Sequence, residues 1–241
     1  MALKVNNMPA RLTNKFFGSI KRVITREPLI ALTFDDGPHP EYTPRLLDIL
    51  ERHGARATFF MVGKAAQQQP ELVKLVAEAG HTIGNHSWDH PSFPLLNASQ
   101  RRAQIRRCGQ ALAPYGQRLF RPPYGHQSLG SRLDTLLLGY QVIGWNALAY
   151  DWLDHDADWM VTAVKSRLKP GSVVLMHDAL YTALEERFRD REPILKTVER
   201  LLIELKEQYR FVNLTELLQA GRAVKRSWYR RPDAEWLAKL G

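Results

Sequence analysis

From residue 29 onward, short runs of apolar, β-branched and aromatic residues alternate with longer stretches whose apolar residues recur at helical spacing. That alternation predicts strand–helix units around a parallel sheet, because strands buried on both faces read as near-continuous hydrophobic runs. Seven strands are expected: LIALTFDD (29–36), ATFFMVG (57–63), HTIGNHS (81–87), LFRPPY (119–124), QVIGWNA (141–147), SVVLMHD (172–178) and YRFVNL (209–214). A first helix is signalled by Thr43 as N-cap, Pro44 at N1 and Gly54 past its end, with Leu46, Leu47, Ile49 and Leu50 as its stripe. A second begins at Pro70, buries Leu72, Val73 and Val76, and ends near Gly80. A long third follows Pro193 and places Ile194, Val198, Leu201, Leu202 and Leu205 on one face. With no internal repeat and no Gly/Ser linker, the pattern describes one barrel-like α/β domain over residues 29–221.

The chain has 241 residues, ordinary globular composition (44% hydrophobic, 24% charged) and one cysteine. Cys108 therefore has no internal disulfide partner and no Cys-rich zinc site to join, so a bound metal must take His, Asp or Glu ligands. The net charge of +9 sits at the two ends. Residues 1–28 carry six Lys/Arg against one acid, residues 222–241 six against two, and the 22 basic and 22 acidic residues between them cancel. A neutral body between a basic N-terminal extension and a basic, aromatic C-terminal tail argues against a nucleic-acid groove. It favours ends that rest on an anionic surface such as lipid headgroups, a cell-wall polymer or a partner. The tail, with Trp228, Tyr229 and Trp236, is expected to pack on the domain, with a membrane-surface contact as the alternative.

No stretch approaches the roughly 20 apolar residues of a spanning helix. The N-terminal sequence is interrupted by Pro9, Arg11, Asn14 and Lys15 before any apolar run of signal-peptide length, which leaves a cytoplasmic protein or one whose leader has been removed.

In a parallel α/β barrel the active site lies at the carboxyl ends of the strands. The reactive residues of this sequence collect there. The first strand ends in Asp35 and Asp36, the third runs into His86 and His90, and the fourth ends at Arg121 and Tyr124. The fifth leads to Asp151 and Trp152, and the sixth ends at His177 and Asp178. Taken singly, each has a plain structural reading, as a helix cap, a turn or a core histidine. Together, Asp36, His86 and His90 would give a divalent ion two imidazoles and a carboxylate with a position left open to water. Asp35 is then placed as general base and His177 as general acid.

The motifs Thr33-Phe34-Asp35-Asp36-Gly37, His86-Ser87-Trp88-Asp89-His90, Arg121-Pro122-Pro123-Tyr124, Asp151-Trp152 and Leu175-Met176-His177 resemble, in order and spacing, those of the polysaccharide deacetylases, carbohydrate esterase family four. The resemblance spans roughly residues 29–214. It implies an α/β fold, a distorted (β/α)7-type barrel in a single domain, that removes acetyl groups from N-acetylated glycans of chitooligosaccharide or peptidoglycan type. It also implies Asp35 as base, Asp36, His86 and His90 as ligands of a divalent metal, and His177 as acid. Zinc is the first choice, and cobalt, nickel or manganese would also suit these ligands. Arg121 is implied to orient Asp35, and Tyr124 to offer a backbone N–H to the oxyanion. Trp152 and Leu175 would wall the acetyl pocket, with Asp151 beside the substrate. One position departs from the pattern: Leu148 stands where the family usually carries an Asp three residues before the Asp-Trp pair, a residue that tunes the catalytic histidine. Either Asp151 or Asp178 substitutes, or a weak acid step favours an O-acetyl ester. A small-amide hydrolase and a low-turnover glycan-binding protein are the remaining alternatives. His39 and His126 stand close enough to the motifs to touch substrate, whereas His53, His81 and His155 are expected at the surface or at helix ends. Cys108 is expected to be buried, and Arg101, Arg102, Arg106 and Arg107 to form a solvated face.

Overall fold

A computed structural model describes residues 17–183, 185–227 and 231–232. Residues 1–16 and the tail aromatics Trp228, Tyr229 and Trp236 lie outside the described residues. Ten strands form one sheet in the order β10-β1-β8-β2-β3-β4-β5-β6, with β7 added on β8 and β9 on β2. The strands are β1 (Ser19–Ile24), β2 (Leu29–Asp35), β3 (Ala57–Met61), β4 (Thr82–Asn85), β5 (Gly116–Phe120), β6 (Gln141–Val142), β7 (Ala147–Leu148), β8 (Ser172–His177), β9 (Arg210–Phe211) and β10 (Arg222–Arg226). Among the described residues eight α-helices flank them: α1 (Tyr42–Arg52), α2 (Gly63–Gln68), α3 (Pro70–Glu78), α4 (Ala98–Ala111), α5 (Leu129–Leu137), α6 (Ala157–Lys165), α7 (Glu192–Leu205) and α8 (Leu214–Gln219). The curved parallel sheet with helices on its outer side is a distorted (β/α) barrel in a single domain.

The central strand β2 is buried along its whole length. Ile30, Leu32 and Phe34 point into the main core against α1, α7 and the other helices. Leu29 and Ala31 point into the barrel interior with Val173, Phe60 and Leu119. Because strand side chains alternate, Thr33 and Asp35 continue the interior column of β2, as Leu175 and His177 continue that of β8 beyond Val173. β2 and β8 run parallel with Asp35 opposite His177, so two acid–base groups leave the sheet side by side.

Several expectations need correction. The boundary placed after residue 28 separates strands that the sheet joins: β1 pairs antiparallel with β10 and, at Arg22, with Ser172 of β8. The basic ends therefore contribute two strands, β1 between β10 and β8 and β10 at the sheet's edge, where an edge strand tolerates charge on its open side. Residues 141–147 split into β6 and β7, with Gly144 as the break between them. The fourth strand lies earlier than expected, ending at Phe120, since Pro122 and Pro123 have no N–H for a ladder. Thr43 is not the N-cap of α1. Its Oγ1 accepts the His39 N–H (2.7 Å) and donates to the Asp178 carboxylate (2.5 Å). Arg101 and Arg102 are not simply solvated, since both pair with the buried Asp134. Among the described residues no helix is long and apolar enough to cross a membrane.

Candidate active site

All the motif side chains collect at the carboxyl ends of the strands. Five non-glycine residues there adopt positive φ: Asp36 (77°), Ser87 (71°), His90 (62°), Tyr124 (56°) and Tyr150 (57°). Left-handed backbone at such residues costs on the order of 1–3 kcal/mol each and persists where the surroundings dictate it. Here each one re-aims a side chain at a strand end. Gly37 follows Asp36 because a Cβ at that position would overlap the Asp178 carboxylate.

Asp36, His86 and His90 are all buried, and one ligand atom from each lies within 4.8 Å of the others. Asp36 Oδ1 is 3.1 Å from His90 Nε2 and 3.3 Å from His86 Nε2, yet it has no hydrogen-bond partner. Its other oxygen accepts the Tyr181 N–H at 3.0 Å. His86 Nδ1 lies 2.7 Å from the Arg121 carbonyl and donates to it, which leaves Nε2 as the lone-pair nitrogen facing Asp36. An orphaned buried carboxylate oxygen between two imidazole nitrogens is a donor set that fits a divalent cation. Burial works against the charge on Asp36, but the neighbouring His90 and His86 outweigh it and hold the carboxyl well below the usual range.

Asp35 is held from behind. The Arg121 guanidinium donates to Asp35 Oδ1 at 2.6 Å, to Thr33 Oγ1 at 2.7 Å and to the Gly144 carbonyl at 3.3 Å, while its plane lies over the Phe60 ring. Asp35 Oδ2 is left 3.8 Å from His86 Nε2, on the side of the ligand cluster.

His177 is oriented by Asp151. Its Nδ1 donates to Asp151 Oδ1 (3.0 Å) and its backbone N–H to Oδ2 (2.8 Å). Arg191 fixes the same carboxylate at 3.3 Å and donates to the Asp151 carbonyl at 3.0 Å. Burial disfavours the imidazolium, but the Asp151 charge and hydrogen bond prevail, and the His177 pKa is raised to about 9. Asp151 is 4% exposed and its oxygens face His177 and Arg191, not the open site as expected of a substrate contact. Leu148, the position where an Asp was anticipated, lies in β7 and pairs with Leu175 of β8. The acid that tunes the histidine stands three residues further on. Asp178 takes no part in that contact. It bonds Thr43, and burial raises its pKa to about 7.

The remaining candidates surround these groups. Trp152 stands edge-on to His177 at 5.5 Å, and Leu175 lies two residues before His177 on the same strand face. The Tyr124 ring packs 4.5 Å from His90, and its hydroxyl donates to Thr182 at 3.2 Å. His126 is buried on Ser92, while His39 organises the turn into α1 through Nδ1. His81, expected at the surface or a helix end, lies just beyond the end of α3 and is buried, and its Nδ1 accepts the Ala57 N–H. Arg191 and Tyr181 were not singled out in the sequence. They carry no local pattern and become neighbours of the site only through contacts across 40 and 145 residues.

The sequence profile described as polysaccharide deacetylase matches residues 22–143, half of the chain. This chain belongs to the polysaccharide deacetylase family. A peptidoglycan-N-acetylglucosamine deacetylase of Bacillus cereus is 36% identical over 202 residues, covering 82% of this chain and 91% of that protein. A chitooligosaccharide deacetylase of Sinorhizobium fredii is 32% identical over 167 residues, 68% of this chain and 78% of that one. Among solved structures, a peptidoglycan N-acetylglucosamine deacetylase in complex with a substituted N-oxidanyl-benzamide superposes with a TM-score of 0.78 at 30% identity, covering 90% of this chain and 99% of that chain. Family members are metal-dependent, and the Asp36–His86–His90 cluster gives this chain a place for the ion.

Proposed function

We propose that this chain is a metal-dependent deacetylase that hydrolyses the N-acetyl amide of glycans of the peptidoglycan or chitooligosaccharide type, with zinc held by Asp36, His86 and His90. The observation that carries the reading is the orphaned Asp36 oxygen between two imidazoles, with a fixed carboxylate on one side and a histidine–aspartate pair opposite it in register. Relatives named for these two substrate classes support the choice of glycan. When bound, the ion supplies Lewis acidity and lowers the pKa of a coordinated water toward about 7.

The protein's own groups do the rest. Asp35, immobilised through Oδ1 by Arg121, keeps Oδ2 free to take a proton from the attacking water. His177 uses Nδ1 to hold Asp151, so Nε2 is the nitrogen that gives a proton to the departing amine. An amine leaves an amide only when protonated, and a His177 pKa raised to about 9 keeps the imidazolium populated at neutral pH. That pairing favours the amide over an O-acetyl ester, although Leu148 is apolar. The Tyr124 N–H is the donor we assign to the oxyanion. Trp152 and Leu175, both beside His177, bound the acetyl group.

Acetate release from N-acetylglucosamine oligomers, peptidoglycan and O-acetylated xylan, with zinc-loaded protein and Asp35→Asn as control, tests the reading. Release from either of the first two that vanishes in the control is expected. Release from xylan alone, or from none with the metal bound, would overturn it.

A further inference from the structure

Helix α5 is turned inside out. It buries Ser131, Arg132, Asp134 and Thr135, and it exposes Leu133, Leu136 and Leu137, the last at 78%. Its polar face is committed to the fold. Arg132 donates to the carbonyls of Phe17 and Gly18 at 2.8 and 2.7 Å, and Asp134 pairs with Arg101 and Arg102 of α4. Among the described residues the leucine face has no such partner. Leu95, 54% exposed in the short turn Phe93–Leu95 that packs against α5, enlarges the same patch.

Charge is concentrated on the same part of the molecule. Residues 90–150 contain seven arginines and one acid, Asp134, for a net +6 by sequence; Arg121 and Arg132 are buried and Arg101 and Arg102 pair with Asp134, which leaves Arg106, Arg107 and Arg118 as the exposed cations. Residues 29–89 hold five basic and eight acidic residues, and residues 151–221 ten and thirteen, for −3 each. The neutral body is thus uneven in charge along its sequence. Arg106, Arg107 and Arg118 are exposed, and among the described residues none of them pairs with a carboxylate; Arg107 lies over Trp88 and Arg118 over Tyr140. The described chain also enters the fold here, at Phe17 on Arg132.

We propose that this face docks on an anionic lipid surface, with the leucines of α5 and Leu95 entering the headgroup–acyl boundary and the surrounding arginines meeting lipid phosphates. Apolar side chains rimmed by cations suit that boundary, where each basic residue near the surface adds attraction. A second copy of the chain suits it poorly. The four leucines expose on the order of 400 Å², about half of what a stable interface buries per partner, and a two-fold contact would set like charges together.

Cosedimentation of the full chain with phosphatidylglycerol-containing vesicles, and with phosphatidylcholine vesicles as control, tests this without reference to catalysis. The wild type should bind the anionic vesicles, release them at high salt, and ignore the neutral ones. Leu133→Ser combined with Leu137→Ser should weaken partitioning about tenfold or more, with Tm and acetate release from soluble oligomers unchanged. Arg106→Glu combined with Arg118→Glu should weaken it similarly. Equal partitioning of the leucine variant would assign binding to the basic ends alone and overturn the proposal. So would absence of wild-type binding, or self-association of the wild type that the leucine substitutions abolish.

Discussion

Asp151 bonds His177 through both its oxygens while Arg191 holds it from the far side, so the basicity of His177 rests chiefly on this carboxylate, with Asp36 and Asp35 adding to it. Replacing Asp151 with Asn removes the charge and lowers the His177 pKa from about 9, so the alkaline limb of the kcat profile should move to lower pH. An N-acetyl substrate should lose more rate than an activated acetyl ester, whose leaving group needs little protonation. A pH–rate profile on both substrates checks this. Asp35→Asn should lower kcat by roughly 100- to 10,000-fold, the usual worth of a positioned base, while metal affinity measured by calorimetry stays near that of the wild type. At this scale the sequence was informative about identity. The ionisable residues, their order and their strand ends were all legible. The partner of each was not, since Asp151 reads as a motif residue beside Trp152, and only the fold shows which way its carboxylate turns.

At the scale of elements, β4, which leads to His86 and His90, is set tightly against β3. A Cβ at Gly84 would lie about 2.5 Å from the Phe60 ring, which also carries the Arg121 guanidinium. Gly84→Ala should therefore destabilise by roughly 1–3 kcal/mol through overpacking, read as a fall in the denaturation midpoint. His81, just before β4, accepts the Ala57 N–H that begins β3. Burial, with Arg56 adding to it, lowers its pKa from 6.5 to about 4. The unfolded chain takes up a proton near pH 6.5 and the folded one only near pH 4. The stability linked to His81 is thus complete above about pH 6.5 and is lost as pH falls toward 4, by up to about 3 kcal/mol. His81→Gln should flatten the midpoint over that window. Helices with a strong apolar stripe, α1, α3 and α7, were readable because period and burial coincide. β1 and β10 were not, because their charged residues describe an edge that no local pattern distinguishes from a tail. Helix α5 was missed for the opposite reason, its leucines lying outside.

For the molecule as a whole, the ligand cluster ties together strands β2 and β4 and the loop after β4, so the ion should couple to folding. Chelation is expected to lower Tm and abolish acetate release, and zinc should restore both; at a free concentration of 100 times Kd the gain is about 2.7 kcal/mol. Differential scanning fluorimetry with and without a chelator measures it. The sheet closes its far edge by pairing β1 with β10, so removal of residues 222–241 should unpair β1 and lower Tm, although the catalytic rim lies elsewhere. The sequence by itself determined the α/β class, the strand-end placement of the ionisable residues and the candidate donor set Asp36, His86 and His90, because periodicity and residue type are local properties. Tertiary structure alone decided which acid steadies His177, which oxygen of Asp36 is left without a partner, and that the basic flanks enter the sheet. It also decided that α5 turns its leucines outward and commits its charged residues to the fold. Each of these depends on contacts between residues far apart in the chain, and no periodicity records them.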